Sequence, residues 1–173
     1  MQRIPVFRGR IVDLGIETAE LPDGRTVELE MIRHPGAAAI VPLHEDGSVT
    51  LVHQFRLGGG GMGYEVPAGV LGEAEVPDLC ARRELEEETG LSCARLERLG
   101  VIHTTPGFTD ERIFLFLATG LREGEARPEA DEYIKPVRMP LEQALAMIDE
   151  GDLTDAKTIC ALTMTARRLA RSG

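Results

Sequence analysis

Positive charge is in short supply in this chain. Nineteen Lys and Arg stand against 29 Asp and Glu in 173 residues, a formal net charge of −10. That balance argues against nucleic acid or an anionic membrane as the main partner. An anionic ligand then has to be received by a local basic pocket and by metal. Cysteine is scarce: Cys80, Cys93 and Cys160 are odd in number and widely spaced. This speaks against a disulfide framework and for free thiols in a reducing cytoplasm. No charged-then-apolar leader opens the sequence, and no apolar run approaches the length of a membrane-spanning helix. Aromatics make up 4% of the chain, and Phe7 is alone among residues 1–50. The four histidines, His34, His44, His53 and His103, show no metal-ligand spacing. The glycine run Gly58 to Gly61, followed by Met62-Gly63, lacks the Gly-Lys-Ser/Thr ending of a phosphate-binding loop and reads as a flexible connection.

What is present suits one soluble domain with a sizeable core: 43% of residues are hydrophobic and 28% charged. Val6 to Glu20 and Arg25 to Arg33 read as strands joined by the turn Leu21-Pro22-Asp23-Gly24. Ala37 to Leu43 and Val49 to Phe55 are apolar and β-branched enough for core strands. Arg95 to His103, Arg112 to Ala118 and Tyr133 to Met139 read as further strands. Leu141 to Asp149 and Ala156 to Arg171 carry apolar residues at helical spacing, with Ile159, Leu162, Ala166 and Leu169 on one side of the last helix.

The densest chemistry lies between Gly69 and Leu91. Pro77 suits the first turn of a helix and Gly90 the position just past its end. Asp78 to Thr89 holds good helix formers with no internal Gly or Pro. At about 100° per residue, Glu84, Glu87 and Glu88 share an arc of roughly 100°, and Glu86 points away. Ala81 and Leu85 lie beside that arc, placed to pack on a sheet. Three carboxylates at i, i+3 and i+4 repel one another. Arg82 points away, so the only cation beside that arc is Arg83, where a solvated helix would interleave lysines. Hard oxygen donors on a rigid helix suit Mg²⁺ or Mn²⁺. Such ions neutralise a diphosphate and activate an attacking water. The plain alternative is a solvated acidic helix.

Written out, the segment is Gly69, five residues, Glu75, seven residues, Arg83-Glu84-Leu85, one residue, Glu87-Glu88, one residue, Gly90-Leu91. It resembles the Nudix box at every fixed position, which sets the plain alternative aside. The resemblance to the Nudix hydrolases implies an α/β/α sandwich around a mixed sheet and covers residues 5 to 170. An N-terminal antiparallel β segment, residues 1–36, precedes a hydrolase domain at 37–173. Three flanking stretches are similar to the ADP-ribose pyrophosphatase branch: Val52-His53-Gln54-Phe55-Arg56, Glu65-Val66-Pro67-Ala68-Gly69, and Thr105-Pro106-Gly107-Phe108-Thr109-Asp110-Glu111. In that branch the N-terminal segment is exchanged between the subunits of a homodimer and helps build each site.

The resemblance implies metal binding by Glu84 and Glu88, with the Ala68 carbonyl as a further ligand. Glu87 is implied as a ligand or a nearby catalytic acid. Arg83 and Glu75 would hold the box in shape, together with Gly69 and Gly90. Substrate contacts fall to Arg56, Glu65, Pro106, Gly107 and Glu111. The acidic segment Glu129-Ala130-Asp131-Glu132 corresponds to a loop that supplies a base or metal ligand. Ala130 stands where one well-known type has its base, so Glu132 is the first candidate, with Glu129 and Asp131 behind it. The lone Phe7 leaves little for adenine to stack on. GDP-mannose and other nucleoside diphosphate sugars therefore compete with ADP-ribose as substrates. A nucleoside triphosphatase and a non-catalytic ADP-ribose sensor are the remaining alternatives.

Overall fold

The computed structural model describes residues 2–127 and 133–171. The chain runs β1 (Arg3–Arg8), β2 (Asp13–Glu20), β3 (Thr26–Arg33), β4 (Ala37–Pro42), β5 (Ser48–Arg56), a short 3₁₀ turn (Leu57–Gly59), β6 (Gly61–Glu65), β7 (Ala68–Val70), α1 (Pro77–Thr89), β8 (Leu91–His103), β9 (Arg112–Glu123), β10 (Ile134–Pro140), α2 (Leu141–Glu150) and α3 (Ala156–Leu169). The described residues form three sheets: β1-β2-β3, β10-β5-β6 and β7-β4-β9-β8. In the last, β4 runs parallel to β9 while β7 and β8 are antiparallel to their neighbours, so the sheet is mixed.

All six residues of β4 are buried, as the near-continuous apolar run of a doubly covered strand requires. Alternation divides their side chains between two cores. Ala38 and Ile40, with Phe116 and Ala118 of β9, pack on Cys80, Ala81 and Leu85 of α1. Ala39 and Val41, with Leu115 and Leu117, pack on Val49 and Leu51 of β5 and on Ala161 and Leu162 of α3. This is an α/β/α arrangement with α1 on one face and, among the described residues, no second helix beside it. The box helix starts with Pro77 at its first position. It ends at Gly90, which has φ 72° and an N–H donating to the Glu86 carbonyl at 2.9 Å. A Cβ on Gly90 would come within 2.7 Å of the Ala126 backbone nitrogen, so both the turn and its neighbour require glycine.

Several boundaries differ from the sequence reading. Val6 to Glu20 is two strands: Gly9 donates to the Val12 carbonyl at 2.8 Å, and the chain folds back to pair β1 with β2. The glycine-rich stretch is no slack connection. Its second half is β6, paired with β5 from Val52 to Arg56. Strand β7 is three residues long, too short for any periodicity to show. Both β8 and β9 extend past the apolar core as a long hairpin, where alternation fades because both faces meet solvent. On α3 the buried face passes through Thr158, Ala161, Leu162 and Thr165, while Leu169 is 40% exposed. The two threonines reset the stripe: Thr158 is drawn inward by hydrogen bonds to Asp155 and Val66.

Candidate active site

The box helix lies with its acidic face against β7. Glu84 and Glu88 are buried, Glu87 is half-buried and Glu86 is exposed. Glu88 Oε2 accepts the Ala68 N–H at 3.1 Å. Glu84 sits directly over Gly69, where an added Cβ would stand 1.9 Å from Oε1 and 2.1 Å from the carboxyl carbon. Glycine at 69 is therefore the condition for Glu84 to occupy this place.

Arg83 is the hub of the cluster. Its Nε and Nη2 donate to the two oxygens of Glu75 at 2.9 and 3.0 Å, a bidentate pair. Its Nη1 donates to Glu84 Oε1 at 2.6 Å and Glu87 Oε2 at 2.9 Å. Its Nη2 also reaches the Val70 carbonyl at 3.2 Å. One guanidinium thus ties the loop before the helix, two glutamates on the helix and the end of β7. The Arg83 hydrogen bond, helped by the Gly72 N–H, pushes the Glu75 carboxyl down to about 2. Burial, reinforced by the charges of Glu84 and Glu75, pushes the Cys80 thiol up to about 12.

The donor set fits a divalent cation of the Mg²⁺ class. Two buried carboxylates stand one turn apart beside a backbone segment. Mg²⁺ keeps several waters and needs only one or two carboxylates when substrate phosphates complete its sphere. No group of three or more His, Cys, Asp or Glu side chains is gathered for a metal among the described residues. Glu87 is turned to Arg83 instead. Glu129, Ala130, Asp131 and Glu132 lie outside the described residues.

A cleft of about 590 Å³ opens beside this wall, lined by Ala68 and Gly69 on one side and by Arg56, Glu65, Glu111 and Lys157 around it. Arg56 donates from Nε and Nη2 to the two oxygens of buried Glu65, at 3.1 and 3.3 Å. Lys157 Nζ reaches the same Glu65 Oε2 and also Asp155 Oδ1, the latter at 2.9 Å. Glu65 thus holds two cations at the edge of the cleft. Gly59, Gly61 and Gly63 of the glycine-rich stretch also border it. Thr104 and Glu111 line it from the loop after β8, while Pro106 and Gly107 are exposed and stand outside its lining.

Lys157 is the residue that sequence reasoning missed. The signal was faint: Asp155 caps α3 through the Thr158 N–H at 2.9 Å, which puts Lys157 in the first turn. Nothing local ties that turn to Glu65, 92 residues away.

Fold and box helix together define the class: the NUDIX domain model matches residues 33–162, and the chain belongs to the Nudix family. Individual relatives narrow the comparison. The chain is 38% identical to the ADP-ribose pyrophosphatase of Bacillus subtilis (strain 168), over 91% of this chain and 86% of that protein. It is 40% identical to the methanol dehydrogenase activator of Bacillus methanolicus, again over 91% and 86%. Among solved structures, an ADP compounds hydrolase superposes with a TM-score of 0.85 at 21% identity, covering 100% of this chain and 94% of the other. At that identity the likeness speaks for the fold.

Proposed function

We propose that the chain hydrolyses the pyrophosphate bond of ADP-ribose or a related nucleoside diphosphate sugar, with Mg²⁺ or Mn²⁺, giving a nucleoside monophosphate and a sugar phosphate. The observation that carries this reading is the cleft itself. Its Ala68–Gly69 wall is backed by Glu84 and Glu88, while Arg56 and Lys157 stand at its edge. A pyrophosphate flanked by two bulky groups needs such an open, two-sided site.

Glu84, Glu88 and the Ala68 carbonyl would hold the metal, which when bound neutralises the diphosphate and activates the attacking water. Arg56 and Lys157 attract the anionic substrate and fix its register. Arg83 keeps the Glu84 and Glu87 carboxylates in place, with Glu75 as its counter-ion. Glu132 is the first candidate to take the proton from water, with Glu129 and Asp131 behind it. Positioning and charge neutralisation supply most of the rate.

Residues 1–36 serve as the dimerisation and pocket element ahead of the hydrolase domain at 37–173. The support is apolar exposure on the N-terminal sheet and its turn: Ile4, Val6, Phe7 and Ile11 are each more than half exposed. The 38%-identical pyrophosphatase and the intact box glutamates weigh against a silent sensor. Free thiols at Cys80, Cys93 and Cys160 suit a cytoplasmic enzyme.

The test is a contest in one buffer. Steady-state kinetics on ADP-ribose, GDP-mannose, UDP-glucose and dNTPs should give the best sugar nucleotide a kcat/KM at least about tenfold above any dNTP, about 1.4 kcal/mol of transition-state preference. A dNTP turned over as well as every sugar nucleotide would overturn the substrate class while leaving the Nudix chemistry standing.

A further inference from the structure

We propose that His34 is a positioning residue for the cleft: its Nε2–H fixes the carboxylate of Glu111, so that the end of β3 sets the geometry in which the sugar nucleotide is held. The proposal rests on the hydrolase reading above.

The tautomer follows from the backbone. His34 Nδ1 accepts the Gly36 N–H at 3.0 Å, and a ring nitrogen that accepts carries no proton. The proton is therefore on Nε2, which faces Glu111 Oε1 at 3.6 Å with both side chains largely buried (13% and 25% exposed). That distance is a polar contact and longer than a hydrogen bond. The other Glu111 oxygen, Oε2, accepts the Thr104 hydroxyl at 2.8 Å. Glu111 is thus hydrogen-bonded at Oε2 and faced by the His34 ring at Oε1 while it lines the cleft.

The backbone on either side is clamped as well. Ile32 donates to the Phe108 carbonyl at 2.8 Å, and Asp110 donates back to the Ile32 carbonyl at 3.3 Å. Asp110 Oδ1 accepts the His34 N–H at 2.8 Å and Oδ2 accepts Arg33 Nη1 at 2.7 Å. Arg33 in turn pairs with buried Glu17 on the adjacent strand β2. Three consecutive residues of β3 and its end, Ile32 to His34, therefore hold the loop that carries Glu111. A carboxylate is an acceptor-only group and suits the hydroxyls of a sugar. Left to itself, a glutamate side chain samples several rotamers, and freezing it on binding costs affinity. His34 and Thr104 bear that cost in advance.

The decisive experiment compares His34→Phe, His34→Gln, Glu111→Ala and the double variant His34→Phe/Glu111→Ala, each checked by melting temperature. For the best sugar nucleotide, His34→Phe should raise KM about fivefold to tenfold, with kcat within about twofold and the half-saturating metal concentration unchanged. His34→Gln, whose amide offers an N–H near the Nε2 position, should restore KM to within about twofold. In the Glu111→Ala background, His34→Phe should add less than about twofold. A wild-type KM in His34→Phe, no rescue by His34→Gln, or an undiminished effect in the Glu111→Ala background would overturn the proposal. Imidazole ¹⁵N spectra give a readout independent of turnover. His34 should be Nε2-protonated, and its resonance should move in Glu111→Ala. An Nδ1-protonated ring or an unmoved resonance refutes the positioning even if no sugar nucleotide proves to be a substrate. Failure of every sugar nucleotide with the expected spectra refutes only the functional reading.

Discussion

Gly69→Ala isolates the geometry of Glu84 from everything else in the site. The added methyl would stand 1.9 Å from Glu84 Oε1 and 2.5 Å from Oε2, against ordinary contact at 3.4 Å or more. The carboxylate must therefore retreat by about 1.5 Å, and Gly69 itself need not move because the clash is with the end of a flexible side chain. The stability cost should sit at the low end for overpacking, about 1–2 kcal/mol, or a fall in Tm of roughly 2–8 °C for a chain of this size. The catalytic cost should be far larger, because a misplacement of about 1 Å at a reacting centre is worth about 10²-fold in rate. Turnover should thus fall at least about a hundredfold, and the half-saturating concentration of Mg²⁺ should rise, in a protein that still melts cooperatively. Steady-state assays across a Mg²⁺ titration, paired with calorimetry on the same samples, read both quantities. Activity within about threefold of wild type at saturating Mg²⁺ would mean that Glu84 does not hold metal where the box places it.

Three further outcomes follow from the same geometry. Glu88→Gln keeps an oxygen for the Ala68 N–H, so the fold should survive while most turnover is lost; near-normal turnover at saturating Mg²⁺ would refute the metal assignment. Because Arg83 holds the Glu75 carboxyl down at about 2, against 4.5 for an ordinary glutamate, its contribution to stability is present above pH 4.5 and fades as pH falls toward 2. The stability gap between wild type and Glu75→Gln should shrink over that window in denaturant titrations, and a gap independent of pH would exclude the ion pair as its source. Light scattering should show a homodimer, and a fully active monomer of 18.9 kDa would contradict the exchanged N-terminal segment.

How much of this could be seen in the sequence depended on how local the determinants were. The box helix was legible almost to the residue, because Pro77, Gly90 and the 3.6-residue period all act within one element. The resemblance marked Arg83 and Glu75 as members of one short motif, and their ion pair is a contact within it. Strands β6 and β7 were not, although both wall the cleft. Five residues with two glycines and three residues at Ala68–Val70 form strands because β5 and β4 offer them hydrogen-bonding edges, a cause that lies elsewhere in the chain. The same holds for Lys157, whose partner Glu65 reaches it only after α3 docks. His34 showed only the lack of metal-ligand spacing, and its contact with Glu111 spans 77 residues. Local chemistry was readable; juxtaposition was not.

The charge of the site explains why an acidic chain can still act on a diphosphate, and why it needs help to do so. Around α1, the carboxylates of Glu75, Glu84 and Glu87 share the Arg83 guanidinium, and Glu88 accepts the Ala68 N–H beside them. Across the cleft, Arg56 and Lys157 are balanced by Glu65 and Asp155. Among the described residues the balance at this wall is therefore negative, and a diphosphate would be repelled from it. Interior fields are screened much less than surface ones, so this repulsion persists at physiological salt. On the proposed assignment, divalent cations held by Glu84 and Glu88 would reverse its sign at the wall, and Arg56 and Lys157 would meet the rest of the substrate. On that assignment, metal dependence would be the electrostatic counterpart of the motif that places Glu84 over Gly69 and Glu88 one turn further on, against the Ala68 N–H. The sparse basic residues would then serve orientation, with neutralisation left to the metal.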